Sequence, residues 1–145
     1  MGYYIEQRDC DFRIKAENVS KALDALKALA SRVNEGGGGT YKGGQLIEKY
    51  FSWVTTEEFA NATTLEEALW AWHWEVEYCG CGCGDVAWIM FQGEKYGDEP
   101  KLLEALAPYV EAGCFIEMSG EDGALWRWSF DGSDMEEKSA NISWE

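Results

Sequence analysis

Two stretches of this chain place an aromatic residue at every second position: Trp70, Trp72 and Trp74 lead into Val76 and Tyr78, and Trp126 and Trp128 lead into Phe130. That spacing is the period of a strand, whose successive side chains point to opposite faces. Bulky rings at that period require a sheet with one covered face, because each ring hides about 150–250 Å² when buried. The chain has 21 aromatic residues and only two prolines among 145 residues, so an aromatic-heavy core in one domain is expected over 1–145.

The remaining elements follow from pattern and punctuation. "GYYIEQRDCDFRI" has strand composition, and "LIEKYFSWV" reads as another strand. Asn18 is placed to cap a helix running to about Val33, with Val19, Leu23, Leu26, Ala30 and Val33 as its apolar stripe. Gly36 stops it, and the six glycines within 36–44 predict a flexible loop. Thr55-x-x-Glu58 and Thr64-x-x-Glu67 are capping signatures that fit a short turn and a short helix. "DVAWIMFQ" is the hairpin partner of the strand that begins at Trp70. Asp98 opens a second main helix, with Pro100 in its first turn and Leu102, Leu103 and Leu106 facing inward. Three strands follow, "CFIEMS", "ALWRWSF" and "ANISWE", the first two joined by the Asp122-Gly123 turn.

The expected fold class is α+β: a mostly antiparallel sheet of six to seven strands with two main helices and one short helix. "ALWAWHWE" at 68–75 is echoed by "ALWRWSFD" at 124–131. One reading is a degenerate duplication of a β-α-β-β unit, with pseudo-repeats at about 1–80 and 85–145. The other is that alternating aromatics simply suit a half-buried sheet.

Charge narrows the function. The net charge is -15, and it is lopsided: residues 1–56 balance at +1 and residues 57–145 at -16. Such a field repels nucleic acid and anionic membranes and attracts basic protein surfaces. The longest apolar run, "VAWIMF", is too short to cross a bilayer, and "MGYYIEQRD" has no secretory pattern. A cytoplasmic location with five reduced cysteines is the expectation.

One short segment, "WHWEVEYCGCGCGDVAW", holds the only histidine and Cys79, Cys81 and Cys83. On an extended strand these cysteines share a face, with neighbours about 6.6–6.8 Å apart. Thiolates on one metal must approach to about 4 Å, which only a curled loop allows. The paired C-x₂-C spacing of zinc ribbons is absent, so the segment reads as a glycine-rich hairpin tip with no cofactor expected, a metal held by Cys79, Cys81 and Cys83 and a redox-sensitive loop being the lesser alternatives. The glycine run fails as a phosphate cradle because Lys42 precedes its final glycines and no Lys-Ser/Thr pair ends it. One histidine and no G-x-S-x-G leave no nucleophile–base pair, so an enzyme is not expected. Candidate binding residues are Tyr41 and Lys42 in the glycine loop and the carboxylates Glu75, Glu77, Glu121 and Asp122.

"GEKYGDE", "APYVEAG", "GEDGALWRWSF" and "ISWE", together with "GGGGTYKGG", "FSWV" and "TLEEALWAW", span nearly the whole chain. In these motifs it resembles a family of short proteins encoded by phages and mobile elements of gut Firmicutes, which carries no assigned activity. The cysteine-glycine tip departs from the family, which has an acidic turn there. The resemblance implies a small accessory protein inside a bacterial host, a setting in which such proteins block host machinery, CRISPR systems included. The leading expectation is a non-enzymatic binder of a basic, nucleic-acid-binding protein surface, an anti-CRISPR-like inhibitor imitating nucleic acid. A nucleotide-sequestering protein and a virion assembly component are the alternatives.

Overall fold

The computed structural model describes residues 2–139. Its class is α+β, as the patterning predicts. In chain order the elements are β1 (Ile5–Asp11), α1 (Ala16–Ala28), β2 (Gly38–Lys42), β3 (Gln45–Tyr50), α2 (Thr56–Ala60), α3 (Leu65–Ala71), β4 (Trp74–Tyr78), β5 (Val86–Phe91), α4 (Glu99–Leu106), β6 (Phe115–Gly120), β7 (Leu125–Phe130) and β8 (Met135–Ser139). A 3-10 segment, Leu29–Glu35, continues α1, and another, Ala107–Tyr109, carries Pro108 at the end of α4.

All strand pairs are antiparallel. β1-β6-β7-β8 form one sheet, and β2-β3 and β4-β5 form two hairpins. The β4-β5 hairpin is nearly part of the large sheet. Bridges join Ile14 to Val86 and Tyr4 to Lys95, one at each end of β1. Between them the Gln7 side chain donates from Nε2 to the Ile89 carbonyl (3.0 Å) and accepts from the Phe91 N–H (2.9 Å). One amide side chain thus replaces a pair of ladder bonds at the seam, giving a layer ordered β4-β5-β1-β6-β7-β8.

Helices cover this layer, and the rings meet between them. Phe51, Phe59 and Trp72 cluster at centroid distances of 5.0–6.3 Å, Trp74 packs on Phe91, and Phe12 on Phe130. Trp74, Trp126 and Trp128 are buried strand residues, as the alternation predicts for core packing; Trp72 is buried too, but from the end of α3. Along α1 and its 3-10 continuation the buried line is Ala22, Leu26 and Leu29, with Val19, Leu23, Ala30 and Val33 on its flanks. Asn18 does not cap the helix: Lys15 is the N-cap residue, and the Asp85 carboxylate accepts from the Ala16 N–H at 2.7 Å.

Two expectations of secondary structure are corrected. The glycine segment is a hairpin, because Gly43 and Gly44 take φ of 60° and 81° and supply the tight turn that suits twisted strands. Gly38 lies so close under the Tyr50 ring that a Cβ there would meet it at 2.6 Å. The second correction is that Trp70 and Trp72 do not open a strand. The Glu67 N–H donates to Thr64 Oγ1 (3.1 Å), and Glu67 Oε1 accepts from the Thr63 N–H, a reciprocal cap that starts α3. Leu65, Ala68, Leu69 and Trp72 then turn inward, while Trp70 stays 58% exposed. Residues 68–75 and 124–131 therefore occupy different elements, the former mostly helix and turn and the latter mostly β7. The strand expected at "ANISWE" lies outside the described residues, and β8 precedes it. No helix among the described residues is long and apolar enough to cross a membrane.

Glu99, in the first turn of α4, is only 5% exposed. Burial pushes its carboxyl up to about 7 from 4.5, even though Oε2 accepts from the Gly97 N–H at 2.6 Å. Between those values the unfolded chain holds fewer protons than the folded one. This residue's contribution to stability therefore falls as pH rises from about 4.5 to about 7, and is level above. The drop is about 3 kcal/mol. Urea denaturation across pH 4.5–8 should show that loss in the wild type relative to Glu99→Gln; a difference between the two that stays constant with pH contradicts it.

Candidate functional site

Three surface features carry chemistry. The first is a hollow of about 620 Å³ lined by Tyr4, Ile5, Glu6, Gly93, Glu94, Ser119, Gly120 and Glu121. It forms where the seam ends. The Tyr4–Lys95 bridge fixes residues 93–95 beside the start of β1, and the Glu121 N–H donates to the Tyr4 carbonyl (2.9 Å) to hold the β6-β7 turn against them. Glu6, Glu94 and Glu121 are exposed on its rim, and among the described residues no Lys or Arg lines it. Arg8 lies 3.9 Å from Glu6 with both side chains exposed, an ion pair of little consequence. Lys95 turns aside, its Nζ 4.9 Å from the centre of Trp53 and 5.5 Å from that of Tyr4.

Next to the hollow are two non-glycine residues in the left-handed region, Trp53 and His73, each with φ of 68°. His73 ends α3 in the position usually taken by glycine, with its N–H on the Trp70 carbonyl at 2.8 Å. Its Nε2 is 2.7 Å from the Trp53 carbonyl, which can only accept, so that nitrogen carries the proton. Trp53 in turn donates from Nε1 to the Tyr96 carbonyl (3.2 Å) and stays 47% exposed. The only histidine is therefore an anchor for a strained turn.

The third feature is the loop after β4. The strand ends at Tyr78, the chain curls through Gly82 and Gly84 at φ of 79° and 88°, and three sulfurs converge. Cys79 Sγ is 2.8 Å from Cys81 Sγ, which is 2.7 Å from Cys83 Sγ, and all three lie within 4.8 Å of one another. Spacing on an extended strand separates these thiols; the curl brings them together. The hairpin tip is as expected, but its thiols are not scattered.

The sequence-predicted residues fall in different places. Glu121 is on the hollow's rim. Asp122 beside it is engaged, accepting from the Tyr3 hydroxyl and the Ala124 N–H, and these bonds hold its carboxyl below the usual range. Glu75 accepts from Gln92 Nε2 (2.9 Å), which ties it to the segment carrying Glu94. Glu77 lies opposite Trp88 on the β4-β5 hairpin. Tyr41 and Lys42 stand at the exposed tip of β2-β3, where Leu46 and Ile47 are also exposed. Tyr4, Glu6 and Glu94 escaped sequence reasoning, since nothing local distinguishes two acids among 27. A further cavity of about 650 Å³ lies beneath β2-β3 against Tyr50 and Trp53, with Glu48 and Glu57 at its edges.

No family model matches the chain, and no curated protein or solved structure matches it significantly.

The left-handed backbone of His73 reverses the usual ranking of small residues. His73→Ala and His73→Gly both lose the bond to Trp53, but only glycine relieves the backbone, which costs other residues about 1–2 kcal/mol. Glycine should therefore be the more stable variant by about 1 kcal/mol in chemical denaturation. Alanine ranking above glycine contradicts the assigned conformation.

Proposed function

We propose that this chain is a non-enzymatic binding protein that docks on a basic protein surface, with the hollow between Tyr4, Glu94 and Glu121 receiving an arginine or lysine side chain. The observation that carries the reading is the arrangement of that hollow. Three exposed carboxylates surround a concave site beside the Tyr4 ring, and among the described residues no Lys or Arg lines it, although Lys95 lies over that ring and Arg8 beside Glu6. Guanidinium groups favour both partners, pairing with carboxylates and lying over aromatic faces. The net charge of -15 extends the attraction beyond contact and steers association.

The resemblance to phage and mobile-element proteins favours a host or phage nucleic-acid-binding protein as partner, its phosphate-binding surface occupied by these carboxylates. In that role the chain acts as an inhibitor of the anti-CRISPR kind. The cavity beneath β2-β3 supports a second reading, a small-ligand binder. Glu48 and Glu57 at its edges disfavour nucleotides and favour an uncharged or cationic ligand.

An arginine-rich peptide titrated calorimetrically across a salt series tests the first reading. Binding should weaken steeply with salt and drop about tenfold or more in Glu6→Gln/Glu94→Gln/Glu121→Gln, as expected for desolvated charge pairs. Glu57→Gln/Glu58→Gln/Glu66→Gln removes the same charge elsewhere and should bind nearly as the wild type does. Equal weakening of the two triple variants contradicts a defined site. Thermal stabilisation by nucleotides, with none by the peptide, favours the second reading.

A further inference from the structure

We propose that the loop Cys79–Asp85 is a binding site for one copper(I) ion, held by the thiolates of Cys79, Cys81 and Cys83. Three features of the loop support the site. First, the donors are already assembled. The two adjacent sulfur pairs are 2.8 and 2.7 Å apart, too long for a disulfide bond at about 2.03–2.05 Å and tighter than sulfurs sharing one metal need to be. With metal–sulfur bonds of about 2.3 Å, three thiolates around one ion sit about 4 Å apart. The loop therefore needs only to open slightly, and its glycines permit that.

Second, the loop is held at both ends. The Cys79 N–H donates to the Asp85 carbonyl (2.8 Å), Asp85 caps α1 through Ala16, and Val86 exchanges both backbone bonds with Ile14. Within the loop the Cys81 and Cys83 N–H groups each point at the sulfur two residues earlier, at 3.4 Å. Backbone donors of this kind favour thiolate.

Third, the donor set selects the ion. Among the described residues no histidine or carboxylate completes the cluster, so the site offers three soft sulfurs and no fourth ligand. Structural zinc sites take four ligands in a tetrahedron, whereas copper(I) is satisfied by few thiolates. Binding forms three copper–sulfur bonds and releases the thiol protons to water, with no change of oxidation state. Cys10 and Cys114 stand apart: burial pushes both thiols up, and Cys10 bonds the Ile89 carbonyl.

The test uses untagged full-length protein, reduced with a phosphine and kept anaerobic. Copper(I) is titrated in competition with a chromophoric copper(I) chelator, and the ultraviolet thiolate-to-copper band is followed. One ion per chain should bind, with affinity about 100-fold lower or worse in Cys81→Ser, since even an outer-shell change costs 10–100-fold. Cys10→Ser/Cys114→Ser should bind as the wild type does. Cys79→Ser/Cys81→Ser/Cys83→Ser should lose the band while keeping its thermal unfolding temperature, because the loop is exposed. Equal uptake by that triple variant, or zinc(II) displacing bound copper(I) at equal concentration, overturns the assignment.

Discussion

The side-chain amide of Gln7 carries the structure's central constraint. β1 is already paired with β6 on one side, and its other edge faces the β4-β5 hairpin. A bulge between Gln7 and Asp9 interrupts the β1 register there, and extra residues of this kind bend a strand. The amide fills the opening by bonding both Ile89 and Phe91, with backbone bridges at Ile14 and Tyr4 completing the seam. Without that link the edge groups of β5 face an unsatisfied boundary, and a buried unpaired peptide group costs about 1–3 kcal/mol.

Both surface features of interest lie at the ends of this seam. At the Tyr4–Lys95 end, the chain after β5 is pinned against β1 and leaves the carboxylate-rimmed hollow. At the Ile14–Val86 end, the same pairing holds the base of the thiol loop, and Asp85 ties it to α1. A rigid join thus presents an acidic recess at one end and a soft-donor loop at the other. Of the 12 Lys and Arg residues, those in ion pairs are matched locally with acids, so the surplus of carboxylates stays on the outside.

Where local signals agreed, the sequence was readable. β5, β6, β7 and α4 lie where alternation, the Asp122-Gly123 turn and the Asp98-x-Pro100 start place them. Where two signals competed, pattern alone chose wrongly. Trp70 and Trp72 fit a strand by period, but Thr64 and Glu67 fit a helix start, and burying Leu65, Ala68 and Leu69 decided for the helix. Glycine density suggested a loose loop because composition ignores the turn that Gly43-Gly44 can make. β8 carries Glu136, Glu137 and Lys138 and lacks apolar alternation, as suits a charged edge; Glu137 there accepts from Trp128 Nε1 at 2.8 Å. The hollow joins residues far apart in the chain, and the thiol cluster depends on a curl that spacing rules do not encode.

The seam is most directly tested by amide hydrogen exchange at Phe91, whose N–H is bound by a side chain and by no strand neighbour on that edge. If Gln7 fuses the two sheets into one layer, this amide exchanges only with global unfolding, at the rate of the central β6 amides. Exchange at the fast rate of an open edge, with β6 still protected, would mean that the hairpin moves independently and that neither surface feature is held as described.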